Sequence, residues 1–321
     1  MLKRLLFVSA CAGVALNIFA QEDKDVKADS IVYEKPKEWR IYSAGAPVTA
    51  FTLTRDQIWY STADQVFCSS LKKVEVQKYP TLGTIPGSGV KCMATDVSGK
   101  AWIGGLNGIA VKNGTQFTVY TSENGLPDNN VNAMVVGKDG KVWVGTDNGV
   151  AVFSNGAWTV YTKAQGLSSN KCQAMTVDSK GDIWIGTDKG ISVFDGVKWT
   201  IHDMKKGLSW NDVKALSFDP RTGNIWAAVG ESDVNCYEKG TWKTYMQIQP
   251  GIVSIMADSQ SRIWFGSQSG LIKFNGDEWV SDPKALGVPA AQVSCMYKDE
   301  SGNLWYAMES GVLKMANPYP F

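Results

Sequence analysis

The chain contains one histidine, His202, among 321 residues. That scarcity removes whole classes of chemistry. A Ser-His-Asp triad or an imidazole proton shuttle needs a histidine near its partners. Transition-metal centres are similarly short of ligands, because six cysteines form no Cys-x-x-Cys pair and five of them lie scattered after residue 20. Long apolar runs are absent beyond Leu5–Phe19, and no stretch keeps an apolar 3.6-residue period. Basic excess is missing too, at 32 basic and 31 acidic residues, so nothing drives nucleic-acid binding. The expectation is no catalytic residue, no metal, no cofactor and no nucleic-acid partner.

Tryptophan, in contrast, is abundant and regularly spaced. Trp59, Trp102, Trp143, Trp184, Trp226, Trp264 and Trp305 recur at gaps of 38 to 43 residues. Such a period identifies one structural unit repeated. Around Trp143 the unit reads Val131-Asn132-Ala133-Met134, a turn at Lys138-Asp139-Gly140, then Val142-Trp143-Val144-Gly145. A second turn, Thr146-Asp147-Asn148-Gly149, leads to Val150-Ala151-Val152-Phe153, and Asn155-Gly156 to Trp158-Thr159-Val160-Tyr161. Four short β-branched and aromatic runs separated by Gly, Asn and Asp predict four antiparallel strands. Four strands per roughly 40 residues describe a propeller blade.

The last unit, Val293 to Met315, has three strands and then Asn317-Pro318-Tyr319-Pro320, which cannot supply a normal fourth. Trp39-Arg40-Ile41-Tyr42 matches the fourth-strand pattern with no unit before it. The prediction is an all-β, seven-bladed propeller of four-stranded blades over residues 37–321, closed by an N-terminal strand. The small residue two positions after each Trp (Gly104, Gly145, Gly186, Gly266) reads as a thin neighbour for an indole of the adjoining blade.

Lys3 and Arg4 before the apolar stretch and Ala20 before Gln21-Glu22-Asp23 read as a signal peptide over residues 1–20. Val8-Ser9-Ala10-Cys11 resembles a lipoprotein box, but its apolar region would be too short, which favours cleavage at Ala20 over lipidation. Residues 21–36, rich in Lys, Asp and Glu, read as a disordered leader. The expected location is periplasmic or extracellular, with no integral membrane segment in the mature chain. Isolated cysteines at Ala and Val positions of the repeat read as small core residues.

Candidate function sits in loops and turns. His202 occupies the place of Tyr120, Tyr161 and Tyr245 on a fourth strand and reads as structural. Asp147, Asp188, Gln268 and Glu309 share one repeat position in the turn between strands two and three. The inter-blade loops begin Gly-apolar and differ at their tips, among them Asp128-Asn129 and Trp210-Asn211. These eight residues form the candidate ligand-binding face, with Trp210 the one tryptophan that lacks a repeat partner. Asp96, Asp178, Asp219, Asp258 and Asp299 lie at the opposite end, where Asp before a Gly turn is structural.

Gly125-Leu126-Pro127, Gly166-Leu167, Asp178-Ser179-Lys180-Gly181-Asp182-Ile183-Trp184-Ile185-Gly186-Thr187 and Gly190-Ile191 carry a resemblance to the two-component-regulator propeller repeat. Residues 90–212 and 252–315 resemble it most. The unit around Trp226 departs, with an extra residue in Pro220-Arg221-Thr222-Gly223, and the unit around Trp59 is weak. The resemblance implies an extracytoplasmic propeller of the kind found in bacterial hybrid sensors, many of them tied to polysaccharide use. It bears on fold and compartment more than on signalling, since these residues include no kinase, membrane helix or sandwich domain. A distant similarity to virginiamycin B lyase propellers is also visible, but the histidines those enzymes depend on have no counterpart here. The reading is therefore a non-catalytic propeller binding carbohydrate or protein, linked to polysaccharide sensing or envelope assembly. The alternative is a lyase or glycosidase using carboxylates at the channel mouth.

Overall fold

In the computed structural model, residues 32–35, 39–72, 76–80, 89–246, 248, 250–258, 260–281, 286 and 291–315 are described. Residues 1–20, read above as a signal peptide, lie outside them. Seven antiparallel sheets follow the repeat. Blades 1 to 6 span residues 50–80, 90–120, 131–161, 172–202, 213–245 and 252–280, each with four strands in up-and-down order. Blade 7 takes three strands from residues 293–315, and Trp39–Ser43 pairs with Gly311–Met315 in the register Trp39↔Met315 to Ser43↔Gly311. Val32–Lys35, included above in the leader, forms a fifth strand on the outside of that sheet. The first strand of every blade touches the first strand of the next, and Val293–Lys298 returns to Ala50–Leu53, so these strands ring a central axis.

The core lies between blades, not within them. Seven apolar clusters each join two neighbours; one unites Trp143, Val150 and Val152 with Leu167, Cys172, Ile183 and Ile185. Another unites Tyr42, Trp305 and Val312 of blade 7 with Phe51, Ile58 and Tyr60 of blade 1. A single sheet exposes two apolar faces, so burial is complete only when the ring is.

The repeated tryptophan is held by two contacts. Its ring stacks on the fourth-strand aromatic of its own blade, as in Trp102–Tyr120 and Trp143–Tyr161 at 6.1 and 5.9 Å. Its Nε1–H donates to the aspartate six residues earlier in Asp96–Trp102, Asp178–Trp184, Asp258–Trp264 and Asp299–Trp305, at 2.8 to 3.1 Å. A buried indole N–H without an acceptor is costly, which explains why the turn aspartates recur. Blades 1 and 3 have Leu53 and Gly137 at that place, and blade 5 departs in another way. Its longer turn lets Thr222 and Ser261 donate to Asp219, and Trp226 Nε1 has no partner.

One packing expectation needs correction. The small residue after the tryptophan does not face an indole. A Cβ on Gly104 or Gly186 would come within 2.7 or 2.6 Å of Val131 or Val213, which open the inner strand of the next blade. Blades converge toward the axis, so the space there is narrowest. Cys172 fills the same slot against Gly145. The cysteines at 68, 92, 172, 236 and 295 are free thiols, and burial pushes those of Cys92 and Cys295 up to about 12. No helix among the described residues is long and apolar enough to cross a membrane.

Candidate functional site

The inter-blade loops and the turns between strands two and three meet on one face. Asp147 N–H donates to the Asn130 carbonyl at 3.2 Å, tying such a turn to the start of its own blade's inner strand. The loops themselves are fastened by a repeated asparagine. Asn129, Asn170 and Asn211 accept from the backbone N–H of Ser122, Lys163 and Met204 at 2.7, 2.7 and 2.9 Å. Their carbonyls accept from Gly108, Gly149 and Gly190 of the preceding blade at 2.7 to 2.8 Å. The Gly-Leu start of each loop has a steric cause. Gly166 has φ +120°, and a Cβ there would lie 2.7 Å from the Trp199 ring, while Leu167 beside it is fully buried.

Six of the seven inner strands carry a β-bulge near their start. The bulged residues are Lys91, Asn132, Gln173, Lys214, Val253 and Ser294, and blade 1 lacks the bulge. Bulges re-aim side chains. Four of these, from four consecutive blades, line one cavity of about 320 Å³ together with Asn130, Asp147 and Lys171. Equivalent positions of successive blades converge only at the axis, so this cavity is the mouth of the central channel.

Two polar networks organise it. Lys91 Nζ donates to Asn130 Oδ1 at 2.6 Å and to Asn132 Oδ1 at 2.8 Å. Both amides pass the polarity on, donating through Nδ2 to the two carboxylate oxygens of Asp147. In the second network Lys214 pairs with Asp212 at 2.6 Å, and Gln173 donates to the other Asp212 oxygen at 2.7 Å. Partial burial works to raise the pKa of Asp147. Hydrogen bonds from Asn132 and Asn130 and the charges of Lys91 and Lys171 outweigh it, leaving the carboxyl below its ordinary value. Asp212 behaves the same way, with burial opposed by Gln173 and Lys214. Both are therefore ionised near neutrality, and neither is prepared to act as the general acid that a two-carboxylate mechanism requires.

Of the eight residues singled out in the sequence, Asp147 alone lines the cavity. Asp128 accepts from Asn130 N–H at 2.7 Å, an ordinary turn contact. The side-chain oxygens of Asn129 and Asn211 are committed to the loops as just described. Asp188 is half-buried, with Oδ1 lacking a hydrogen-bond partner. Gln268 and Glu309 are exposed, Gln268 beside Gly251. Trp210 lies with its ring against Gly230 in the turn of its own blade, yet stays 54% exposed. The lysines were missed, although the 41-residue spacing of Lys91, Asn132, Gln173 and Lys214 was present in the sequence. His202 belongs elsewhere: it stacks on Trp184 at 5.5 Å and accepts from Trp242 Nε1 at 3.3 Å, in the place of a repeat tyrosine.

Residues 125–148 and 166–189 match the family model described as two component regulator propeller, so the chain carries this repeat. No match to a curated protein is found. Among solved structures, the chain is similar to the extracellular domain of a hybrid two component system from B. thetaiotaomicron. That likeness has a TM-score of 0.70 at 20% identity, over 84% of this chain and 39% of the other. The chain thus spans well under half the length of that protein. A second similar structure is a catalytically inactive virginiamycin B lyase from Staphylococcus aureus with quinupristin. Its TM-score is 0.69 at 14% identity, over 89% of this chain and 98% of the other. The extracellular domain of a one component system from B. thetaiotaomicron gives a TM-score of 0.51 at 19% identity, over 87% and 42%. At these identities the likeness establishes the propeller fold.

Proposed function

We propose that this protein is an exported, non-catalytic recognition propeller whose channel mouth binds a carbohydrate or protein partner. The observation that carries the reading is the contrast at the inner strands. Framework positions there are near-constant, while the bulged residue between them changes from Lys to Asn to Gln to Lys and turns into a shared cavity. Side chains that vary from blade to blade while the framework stays constant, gathered in one concave polar site, are the ordinary form of a binding site. The repeat match and the extracellular domains with the same fold support an extracytoplasmic setting. The half-exposed ring of Trp210, among the inter-blade loops, would add a stacking contact at the rim.

A glycan array and a pull-down from the native envelope test this, comparing wild type with Asn132→Ala/Gln173→Ala and with Trp210→Ala. Loss of the captured ligand in the double variant is expected. Trp210→Ala is expected to weaken binding tenfold or more if the indole contributes the ~1.4 kcal/mol that a factor of ten represents. A ligand retained equally by the double variant would remove the mouth from the site.

A further inference from the structure

The charged groups at the mouth are unevenly paired. The side-chain oxygens of Asn130 and Asn132 each accept from Lys91, and the two oxygens of Asp147 accept from the two amides. Asp212 is similarly engaged by Lys214 and Gln173. Each of these oxygens keeps a further lone pair, so the unevenness lies in the ammonium groups, with three donors per lysine. Lys91 uses two and Lys214 one, while Lys171, between the two networks, has no acceptor among the described residues. Lys91, Lys171 and Lys214 stand against Asp147 in the lining and Asp212 paired to Lys214, three cations to two anions, so the mouth carries one net positive charge and Lys171 supplies it.

We infer that the channel mouth is an oxyanion site, with Lys171 as the cation that meets the bound group and Lys91 and Lys214 flanking it. The inference rests on the mouth being the binding site and adds the charge of the ligand. Lys91 and Lys214 are held in place by the asparagine and aspartate networks, which pre-orients the charge and leaves donors facing the opening. A neutral polyol could accept from Lys171 but brings no charge to it; a carboxylate or a sulfate brings both. The absence of an arginine fork makes the site selective for charge over planar geometry.

The test is calorimetric titration of the whole protein with sodium sulfate, sodium D-glucuronate and D-glucose, ionic strength being held constant with chloride. Saturable binding of one or both anions is expected, with glucose giving none. Glucuronate alone would identify a carboxylate site, and sulfate alone a sulfate or phosphate site. Lys171→Gln should weaken the anion at least tenfold and Lys171→Arg should restore most of it. Because the Lys171 ammonium makes no hydrogen bond among the described residues and acts on Asp147 and Asp212 only through space, the melting temperature should move little. Raising salt should weaken binding. Absence of saturation by either anion, glucose binding as well as glucuronate, or an unchanged affinity in Lys171→Gln would each overturn the inference. A neutral glycan lost in Asn132→Ala/Gln173→Ala, with no anion bound, would leave the recognition reading standing and remove this one. Anion binding without any array or envelope partner would do the reverse.

Discussion

Asp96 shows how much of the fold rests on single side chains. Its Oδ1 accepts from Ser98 and Lys100 backbone N–H at 2.9 and 3.0 Å, and its Oδ2 from Trp102 Nε1. Burial favours a raised pKa, but these hydrogen bonds more than offset it, so the carboxyl sits below its ordinary value. That stability is present above the unfolded carboxyl pKa and lost as pH falls through the folded one. Asp96→Ala should cost about 2 kcal/mol, because it strands a buried indole N–H as well as the turn; urea unfolding measures it. His202 titrates in the opposite sense to a paired histidine. Burial first, and Lys206 second, lower its pKa from 6.5. Between that value and the lowered folded one the unfolded chain binds more protons, so stability falls as pH drops through the window and then levels off. His202→Tyr should fold normally, keep ligand binding, and lose this component as pH falls below 6.5 in thermal melts. A wild type and variant with the same pH slope would show that His202 contributes none of it.

At the level of the element, the loop that begins Gly-Leu is a packing device. Gly166 needs both its left-handed backbone and the absence of a Cβ to lie on Trp199. Gly166→Ala should destabilise by roughly 1–3 kcal/mol, the range for combined backbone strain and overpacking. Gly196→Ala is its control, for it shares a positive φ of 92° but has open space where the Cβ would go. A loss no larger at Gly166 than at Gly196 would mean that the indole contact contributes nothing. The bulge is the element that sequence periodicity concealed. The strand pattern of Val131-Asn132-Ala133 shows alternation, and only the register jump between Val131 and Ala133 reveals that Asn132 is turned toward the axis.

For the whole molecule, the decisive contact joins the two ends of the chain. Tyr42 stacks on Trp305 at 5.8 Å, and the Trp39–Ser43 strand covers the edge of Gly311–Met315. Deleting residues 37–44 should lower the melting temperature and promote aggregation, since it uncovers a strand edge and part of the blade 7–blade 1 core. Unchanged melting temperature and solubility in the deletion variant would contradict that role.

The architecture was legible in the sequence because it is periodic: Trp143 and its six counterparts, the turn aspartates and the Gly-Leu loop starts each recur for a local steric or hydrogen-bonding reason. The place of His202 among the fourth-strand aromatics was legible by the same logic, through its alignment with Tyr120, Tyr161 and Tyr245. The site was not. Asp128, Asn129 and Asn211 sit at loop tips and look available, yet their oxygens serve the backbone. Lys91, Asn132, Gln173 and Lys214 look like solvent-facing strand residues, yet they meet in one cavity. A site at the axis is assembled from positions about 41 residues apart, and its charge depends on which donors and acceptors satisfy one another across blades. Repetition along the chain determined the ring; only the packing of blade on blade brought Lys91 beside Asn130 and Asn132, and left Lys171 at the mouth with no hydrogen-bond acceptor among the described residues.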